Sequence, residues 1–438
     1  MTPSAISHEE LAEAWPVLSL EERLEGFALL SRVDAEELFL RLDSHQQAEL
    51  LMAFQPAERR AWIRLLPPDD AADLVQEVES EARAGLLEQL DDQTRREVVA
   101  LLAYAEDAAG GLMNPRFARL RPDMSVDAAI LYLRRQTREH VESIYYAYVL
   151  DAGQKLLGVV SLRELMTAAP TKVVRDVMTA DPLSVPEDMD QEQVSHLFAE
   201  HNLMALPVVD AEGRMKGIVS VDDIVDVVRE EATEDIQKLG AMEALGAPYL
   251  EVGFRAMIKK RGGWLSALFI GEMLTATAMG HFEHEIEKAV VLAMFVPLII
   301  SSGGNSGSQA ATLIVRSLAL RELRLRDWLR VLGRELRSGL TLGAWLGAIG
   351  FLRVMTWQHA GFYDYGPHYL LVAATVWLSL IGVVLFGTLA GSMLPFVLRR
   401  VGFDPATSSA PFVATLVDVT GIVIYFEVAS LILRGTLL

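Results

Sequence analysis

Over the first 115 residues, apolar positions recur at helical spacing between short polar breaks. Leu42, Leu66 and Leu90 begin the related segments LDSHQQAELL, LPPDDAADLV and LDDQTRREVV, a repeat of 24 residues. Each unit reads as a helix pair that cannot bury its apolar face alone, so stacked neighbours are expected to complete the core, as in an α-solenoid. Asp, Ser and Pro at the starts of the second helices suit caps and first turns. Between about 116 and 230 the period changes. RPDMSVDAAILYLRR…YAYVLDAGQKLLGVVSLRELM is followed by the similar VPEDMDQEQVSHLFAE…ALPVVDAEGRMKGIVSVDDIV. Each copy predicts helix, strand, Gly turn, strand and helix. Residues 231–256 predict a polar helix with one apolar face and a break at Gly246-Ala247-Pro248. Five apolar segments follow at about 263–281, 289–315, 336–356, 368–397 and 407–433. Each is long enough to cross a hydrocarbon core of about 30 Å.

Basic residues set an orientation for those spans. Lys259, Lys260 and Arg261 precede the first; Arg316, Arg321, Arg324, Arg326, Arg330 and Arg334 fill the linker after the second; Arg399 and Arg400 follow the fourth. The other two linkers are poor in Lys and Arg. Five spans then place the N-terminus in the cytoplasm and the C-terminus outside, with Arg434 alone against the rule. Charge divides the chain in the same way. Residues 1–250 carry 47 Asp and Glu against 23 Lys and Arg, whereas residues 251–438 carry 12 against 16. An acidic surface repels phosphate backbones and attracts cations, which argues against nucleic acid as a partner. The chain has no cysteine, so disulfides, thiol nucleophiles and Cys metal sites are excluded. MTPSAISHEELAEAW has neither a basic n-region nor an apolar core, so no signal peptide is expected.

The second apolar segment contains PLIISSGGNSGSQ, a polar, glycine-rich stretch ill-suited to face lipid and suited to line a polar path. The ionisable residues within spans are Glu272, Arg353, Asp418 and Glu427. An intramembrane charge is costly and marks function by default; the ordinary alternative is a hydrogen bond that holds neighbouring helices. In PFVATLVDVTGIVIYF, Pro411, Ala414, Asp418 and Gly421 share one helical face. In a symmetric homodimer two Asp418 carboxylates would meet across the axis. Mg²⁺ keeps several waters and takes one or two carboxylates, so such a pair suits the hydrated ion better than Ca²⁺, which wants six to eight oxygens. Co²⁺, Ni²⁺ and Mn²⁺ stay open on this chemistry. Before the membrane, Asp222, Asp223, Asp226, Glu230, Glu231, Glu234 and Asp235 crowd into fourteen residues, and PPDDAAD adds Asp69, Asp70 and Asp73. Any one of them is ordinarily a solvated helix face; together they repel unless cations bridge them.

The paired stretches at 116–230, with VMTADPLSVPEDM, resemble the tandem CBS domain, a regulatory α/β module. The whole order resembles the MgtE magnesium channel/transporter family. The specific matches are PLIISSGGNSGSQAATLIVRSLALREL, PFVATLVDVTGIVIYF and VDDIVDVVREEATEDIQKLGA. The resemblance implies a multidomain membrane protein. Its parts would be an acidic superhelical N domain (1–115), the CBS pair (116–230), a connecting plug helix (231–256) and a five-helix transmembrane domain (257–438). It implies a homodimeric Mg²⁺ channel in the cytoplasmic membrane, its pore lined by the second and fifth spans. Asp418 would be the selectivity residue, with Ala414, Gly421, Asn305 and Ser308 beside it; some members carry Asn where Ser308 stands. The resemblance also implies regulatory Mg²⁺ bound by Glu37, Asp69, Asp73, Asp190, Glu192, Asp223, Asp226, Glu231, Glu234 and Asp235. Asn202 occupies a position that is often acidic, which would weaken one such site. CBS pairs often hold adenine nucleotides, so ATP joins Mg²⁺ as a possible ligand. The rival readings are a CBS-regulated channel or transporter for another ion, such as Co²⁺, Ni²⁺ or an anion, and a membrane-anchored sensor. No P-loop, His-Glu metal motif or nucleophile with its base points to an enzyme.

Overall fold

The computed structural model describes residues 7–139, 145–247, 249–250 and 252–437. Pro248, part of the expected break in the connecting segment, lies outside them, as do the first six residues of the N-terminal stretch. The chain divides into two compact units, Met1–Glu231 and Ala232–Leu438.

The first unit opens with eight short helices: α1 (His8–Ala14), α2 (Leu20–Leu29), α3 (Arg32–Arg41), α4 (Ser44–Ala53), α5 (Pro56–Ile63), α6 (Pro68–Glu77), α7 (Ser80–Leu87) and α8 (Asp92–Leu101). Ser7 with Glu10 and Ser19 with Glu22 form capping boxes. Ser31, Asp43 and Asp91 cap α3, α4 and α8, and prolines start α5 and α6. The repeat is finer than the sequence period. Trp15, Phe27, Phe39, Leu51, Ile63 and Val75 stand twelve residues apart and are all buried, as are Leu38, Leu50, Trp62, Leu74, Leu86 and Val98. One helix with its turn is therefore the structural unit. Alternate helices α2, α4, α6 and α8 stack in series, which covers the faces that single helices leave bare.

α9 (Ala109–Leu112) leads into two similar halves. The first comprises β1 (Arg119–Leu120), α10 (Val126–Glu139), β2 (Tyr146–Leu150), β3 (Leu156–Ser161), α11 (Leu162–Thr167) and β4 (Thr179–Ala180). The second comprises β5 (Val185–Pro186), α12 (Gln191–His201), β6 (Ala205–Val209), β7 (Met215–Ser220) and α13 (Val221–Leu239). The sheets run β1-β2-β3-β4 and β5-β6-β7. In each, a short parallel strand flanks an antiparallel hairpin, with Tyr148 opposite Val159 and Val208 opposite Gly217. The hairpin turns use the aligned aspartates identically. Asp151 accepts from the Gly153 and Lys155 amides at 2.8 and 2.9 Å; Asp210 accepts from those of Glu212 and Arg214 at 3.1 and 2.9 Å. Asn202 closes α12 in the left-handed conformation, φ 52°, where Asn is tolerated and a carboxylate gains nothing. That is a local reason for Asn at a position the resemblance makes acidic.

The helix expected over 231–256 is the continuation of α13, which stops at Leu239. Lys260 then ties the following coil by donating to the carbonyls of Ala244 and Leu245. The second unit contains α14 (Phe254–His281), α15 (Glu283–Lys288), α16 (Val290–Ala293), α17 (Val296–Ala319), α18 (Trp328–Ala360), α19 (Tyr369–Val401) and α20 (Ala410–Leu433). Among the described residues, four stretches are long and apolar enough to cross a membrane: Val290–Ala319, Leu325–Ala360, Tyr369–Val401 and Ala410–Leu433. The first expected span, α14, is long enough at 28 residues but does not reach that apolarity, with Lys259, Lys260, Arg261 and Glu272 along it. Arg330 and Arg334, expected in a linker, lie in the first turns of α18.

Helix α19 is the centre, packed by α17, α18 and α20. Apolar side chains have no hydrophobic advantage between helices in lipid, so close backbone approach carries the association. Gly303 and Gly307 on α17 meet Gly387 and Gly391 on α19. A Cβ on Gly307 would lie 2.9 Å from the Gly387 carbonyl oxygen, and one on Gly391 would collide with that of Gly307. Ser306 Oγ and Thr388 Oγ1 share a buried hydrogen bond of 2.7 Å beside them. Arg353 lies over the rings of Trp357 and Phe295, 5.2 and 5.9 Å from their centroids, so this charge is held by aromatic faces.

Candidate functional site

Helix α17 presents two faces. Gly303, Ser306 and Gly307 turn to α19, while Ser301, Gly304, Asn305 and Ser308 turn to a cavity of about 550 Å³. The spacing i, i+3, i+4, i+7 sets this second face. Helix α20 supplies Ala414 and Asp418 to the same cavity, and α14 supplies Glu272 and Thr275. Ser409 caps α20 by accepting from the Phe412 amide at 3.3 Å, and Pro411 occupies its first turn. Asp418 stands roughly a third of the way along α20, about 12 Å from its start at 1.5 Å per residue. The Ser308 hydroxyl donates to the Ala410 carbonyl at 3.2 Å and so links α17 to α20 beside the cavity.

Four of the five residues expected at the path, Asp418, Ala414, Asn305 and Ser308, thus face one space. Gly421 does not line it. It is buried against α19, where a Cβ would stand 3.2 Å from Val383 Cγ1. Glu427 is exposed elsewhere on α20. Glu272 is the addition: its carboxylate neighbours that of Asp418 across the cavity. None of the ion pairs formed among the described residues includes either one.

The first unit holds the second concentration of carboxylates. Asp70 and Asp73 on α6 face Asp222, Asp223, Asp226 and Glu230 on α13, with Glu106 close by. Burial, then Asp70, Asp223, Glu106 and Glu230, pushes the Asp73 carboxyl up to about 8. Burial, and then Asp222 and Asp226, raises Asp70 to about 6. Asp223 is pushed up to about 7, mainly by burial, although its hydrogen bonds from Ser220 work the other way. Glu106 and Glu230 are raised chiefly by burial too. Among the described residues, no three acidic or His side chains already stand together as a metal cage.

The remaining expected ligands lie in varied settings. Asp69 is buried and accepts from Asn114 Nδ2 at 3.2 Å, so its neighbour Asp70 is the one that faces α13. Glu37 lies 3.5 Å from His8. Asp190 caps α12, accepting from the Glu192 amide at 3.0 Å, and the Glu192 side chain is 3.6 Å from His196. Glu231 accepts from Gln191 Nε2 at 2.7 Å, and Asp226 lies 3.4 Å from Arg229. In the second unit, Glu234 pairs with Lys238 at 2.6 Å; Asp235 follows on the same helix. Lys238 also reaches Asp404, at 2.7 Å, in the connection before α20. Glu106 was not singled out from the sequence; Asp70 and Glu230 were read as members of the acidic cluster and Glu272 as a charge within a span, without a place among the expected ligands or path residues. Asp70 was legible as spacing, since Asp70, Asp73 and Glu77 fall at i, i+3 and i+7.

Between the two halves of the CBS-like region is a cleft of about 940 Å³, lined by Tyr146, Arg163, Thr179, Ser220 and Asp222 among others.

Family models match three parts of the chain: "MgtE intracellular N domain" at residues 6–107, "CBS domain" at 109–170 and 174–230, and "Divalent cation transporter" at 296–428. The magnesium transporter MgtE of Thermus thermophilus is 42% identical over 433 residues, covering 98% of this chain and 94% of that protein. The magnesium transporter MgtE of Enterococcus faecalis is 32% identical over 338 residues, 77% of this chain and 72% of that protein. A crystal structure of the cytosolic domain of the Mg²⁺ channel MgtE in complex with ATP covers 51% of this chain and 90% of its own, with 41% identity and a TM-score of 0.48.

Proposed function

As a member of the MgtE family of magnesium transporters, the chain carries Mg²⁺ across a membrane, and we propose that the ion passes the cavity between α14, α17 and α20, with Asp418 as its selecting group. The observation that carries this reading is the convergence of Asp418 with Ser301, Asn305 and Ser308 on one cavity. Six waters at about 30 Å³ each fill roughly 180 Å³, well within the 550 Å³ available. Mg²⁺ sheds water reluctantly and is held through one or two carboxylates, so Asp418 grips the hydrated ion and the neighbouring hydroxyls and amide hold its waters. In a homodimer two such walls meet, with Asp418 of each copy beside the ion.

The acidic face of α6 and α13 serves as the sensor of cytoplasmic Mg²⁺. Without the ion its carboxylates repel; with it, bridging Mg²⁺ favours the closed arrangement. That requires Mg²⁺ to bind the closed state better than the open one, and several weak sites together supply the difference. The ligands come from the set of Glu37, Asp69, Asp73, Asp190, Glu192, Asp223, Asp226, Glu231, Glu234 and Asp235, joined by Asp70 and Glu230. Residues 231–256 connect the sensor to the five-span domain from 257 onward. The protein resides in the cytoplasmic membrane, N-terminus inside and C-terminus outside, in keeping with the basic residues near α14, α18 and the end of α19. The cleft lined by Tyr146, Arg163 and Thr179 has the size of a small-molecule site and suits an adenine nucleotide such as ATP.

The test is Mg²⁺ uptake by proteoliposomes bearing the intact chain or Asp418→Asn. Uptake by wild type and its loss in the variant are expected; sustained uptake by a well-folded variant would overturn the path. Competition by Co²⁺, Ni²⁺ and chloride in the same vesicles separates the magnesium reading from those for another ion.

A further inference from the structure

Three helices wall the cavity, and two of them bring a carboxylate: Asp418 on α20 and Glu272 on α14. The two side chains neighbour each other. Two carboxylates side by side at membrane depth are expensive unless a cation or a shared proton accompanies them, and a divalent cation displaces such a proton. No Lys, Arg or His among the described residues forms an ion pair with either. The Lys and Arg residues of α14, Arg255, Lys259, Lys260 and Arg261, are confined to its first turns, and the His281 at its far end meets Phe282 edge to face. The stretch around Glu272 is built to let α14 approach α20. A Cβ on Gly271 would stand 3.0 Å from Thr415 Cγ2, so a larger residue there would push Glu272 away from Asp418. The Thr275 hydroxyl, one turn further on, also lines the cavity and is turned back onto the Glu272 carbonyl. It therefore does not donate to the Glu272 carboxylate, whose neighbour is Asp418.

We propose that Glu272 is a second ion-holding and specificity-determining residue of the transport path, gripping the water shell of the divalent cation from the side opposite α17. This rests on the cavity being the path. Each chain then offers two carboxylates to the water shell of the ion, four in a homodimer, and the hydroxyls and amide of α17 complete the contacts to its waters. Helix α14 thereby belongs to the conducting wall. Because the carboxylate acts on the hydrated ion electrostatically, its removal weakens ion binding more than it slows the passage of a bound ion.

The experiment measures Mg²⁺ uptake rate against Mg²⁺ concentration in proteoliposomes for wild type, Glu272→Gln, Glu272→Asp and Asp418→Asn, each checked for folding by its thermal melt. Glu272→Gln is expected to raise the half-saturating Mg²⁺ concentration roughly thirtyfold, the worth of one unit charge about 4 Å from a doubly charged ion in a water-like medium, with the maximal rate held within about twofold. Glu272→Asp is expected to recover most of the affinity. A Glu272→Gln variant that melts like wild type and keeps its half-saturating concentration overturns the role of Glu272. So does equal loss of affinity in Glu272→Gln and Glu272→Asp, which would point to shape and not charge. Asp418→Asn separates this from the path itself: if that variant transports normally, the cavity is not the path; if it is inactive while Glu272→Gln behaves as wild type, only the role of Glu272 falls.

Discussion

The acidic face shared by α6 and α13 and the cavity between α14, α17 and α20 both gather carboxylates with few cations to match them, and they do so by different means. On the face many groups gather: Asp70, Asp73, Asp222, Asp223, Asp226 and Glu230 crowd together, and burial, with mutual repulsion added, raises Asp73 and Asp223 to about 8 and 7. In the cavity two carboxylates suffice, surrounded by hydroxyls, an amide and closely packed backbone. Many weak, mutually dependent groups suit a response graded by ion concentration. A few groups among hydroxyls and an amide suit discrimination between ions. On the proposed function, the same side-chain chemistry divides into sensing and selecting according to how many groups share the charge.

The sharpest way to break this contrast is Asp418→Asn. If the cavity selects with two carboxylates, transport should fall more than about a hundredfold, the scale of removing a desolvated charge partner, as read by Mg²⁺ uptake. Next is the frame. Gly387→Leu drives a side chain into the Gly303 backbone and should cost about 1–3 kcal/mol of stability, read as a lower melting temperature in detergent. A neutral result would mean that α17 is not fixed by that contact. On the acidic face, Mg²⁺ at about ten times its dissociation constant should stabilise the protein by about 1.4 kcal/mol, visible as a rise in the first thermal transition. Asp73→Asn with Asp223→Asn should raise the magnesium-free melting temperature by relieving repulsion and blunt the further rise with Mg²⁺. An unchanged Mg²⁺ response would remove these two from the sensor. The smallest effect belongs to Lys238→Ala, which frees Asp404 from the end of α13. A partly exposed pair is worth about 1 kcal/mol at most, so the Mg²⁺ concentration that halves transport should shift a few-fold.

Much of the fold was legible, because the signals were local. Capping residues and apolar spacing marked the short helices, and the duplicated Asp-to-Gly turns marked the two hairpins, where Asp151 and Asp210 accept the same pair of amides. The 24-residue repeat concealed a 12-residue one, since successive helices alternate in polar decoration while burying the same positions. Asp418 was legible as a charge in an apolar run. Glu272 was legible in the same way, as a charge within the first apolar segment, but its meeting with Asp418 was not, because the two lie 146 positions apart and no local pattern links α14 to α20. Asp69 and Asp70 show the limit of composition: one step along a helix turns a carboxylate by about 100°, enough to give one to Asn114 and the other to α13. PLIISSGGNSGSQ looked uniformly polar, yet its glycines at 303 and 307 serve packing and only the intervening face meets the cavity. Sequence alone could not apportion those faces before the position of α19 was known.

Helix α14 buries none of its residues within the chain and rests mainly on α20. Helices α17 and α20 are clasped by α19, so of the three walls of the cavity α14 is the one the protein holds least. A weakly held helix absorbs a mismatch with bilayer thickness by tilting. If α14 crosses the bilayer and the cavity is the path, the gap between Glu272 and Asp418 is set partly by the lipid, and acyl-chain length becomes a variable of the transport rate alongside ion concentration.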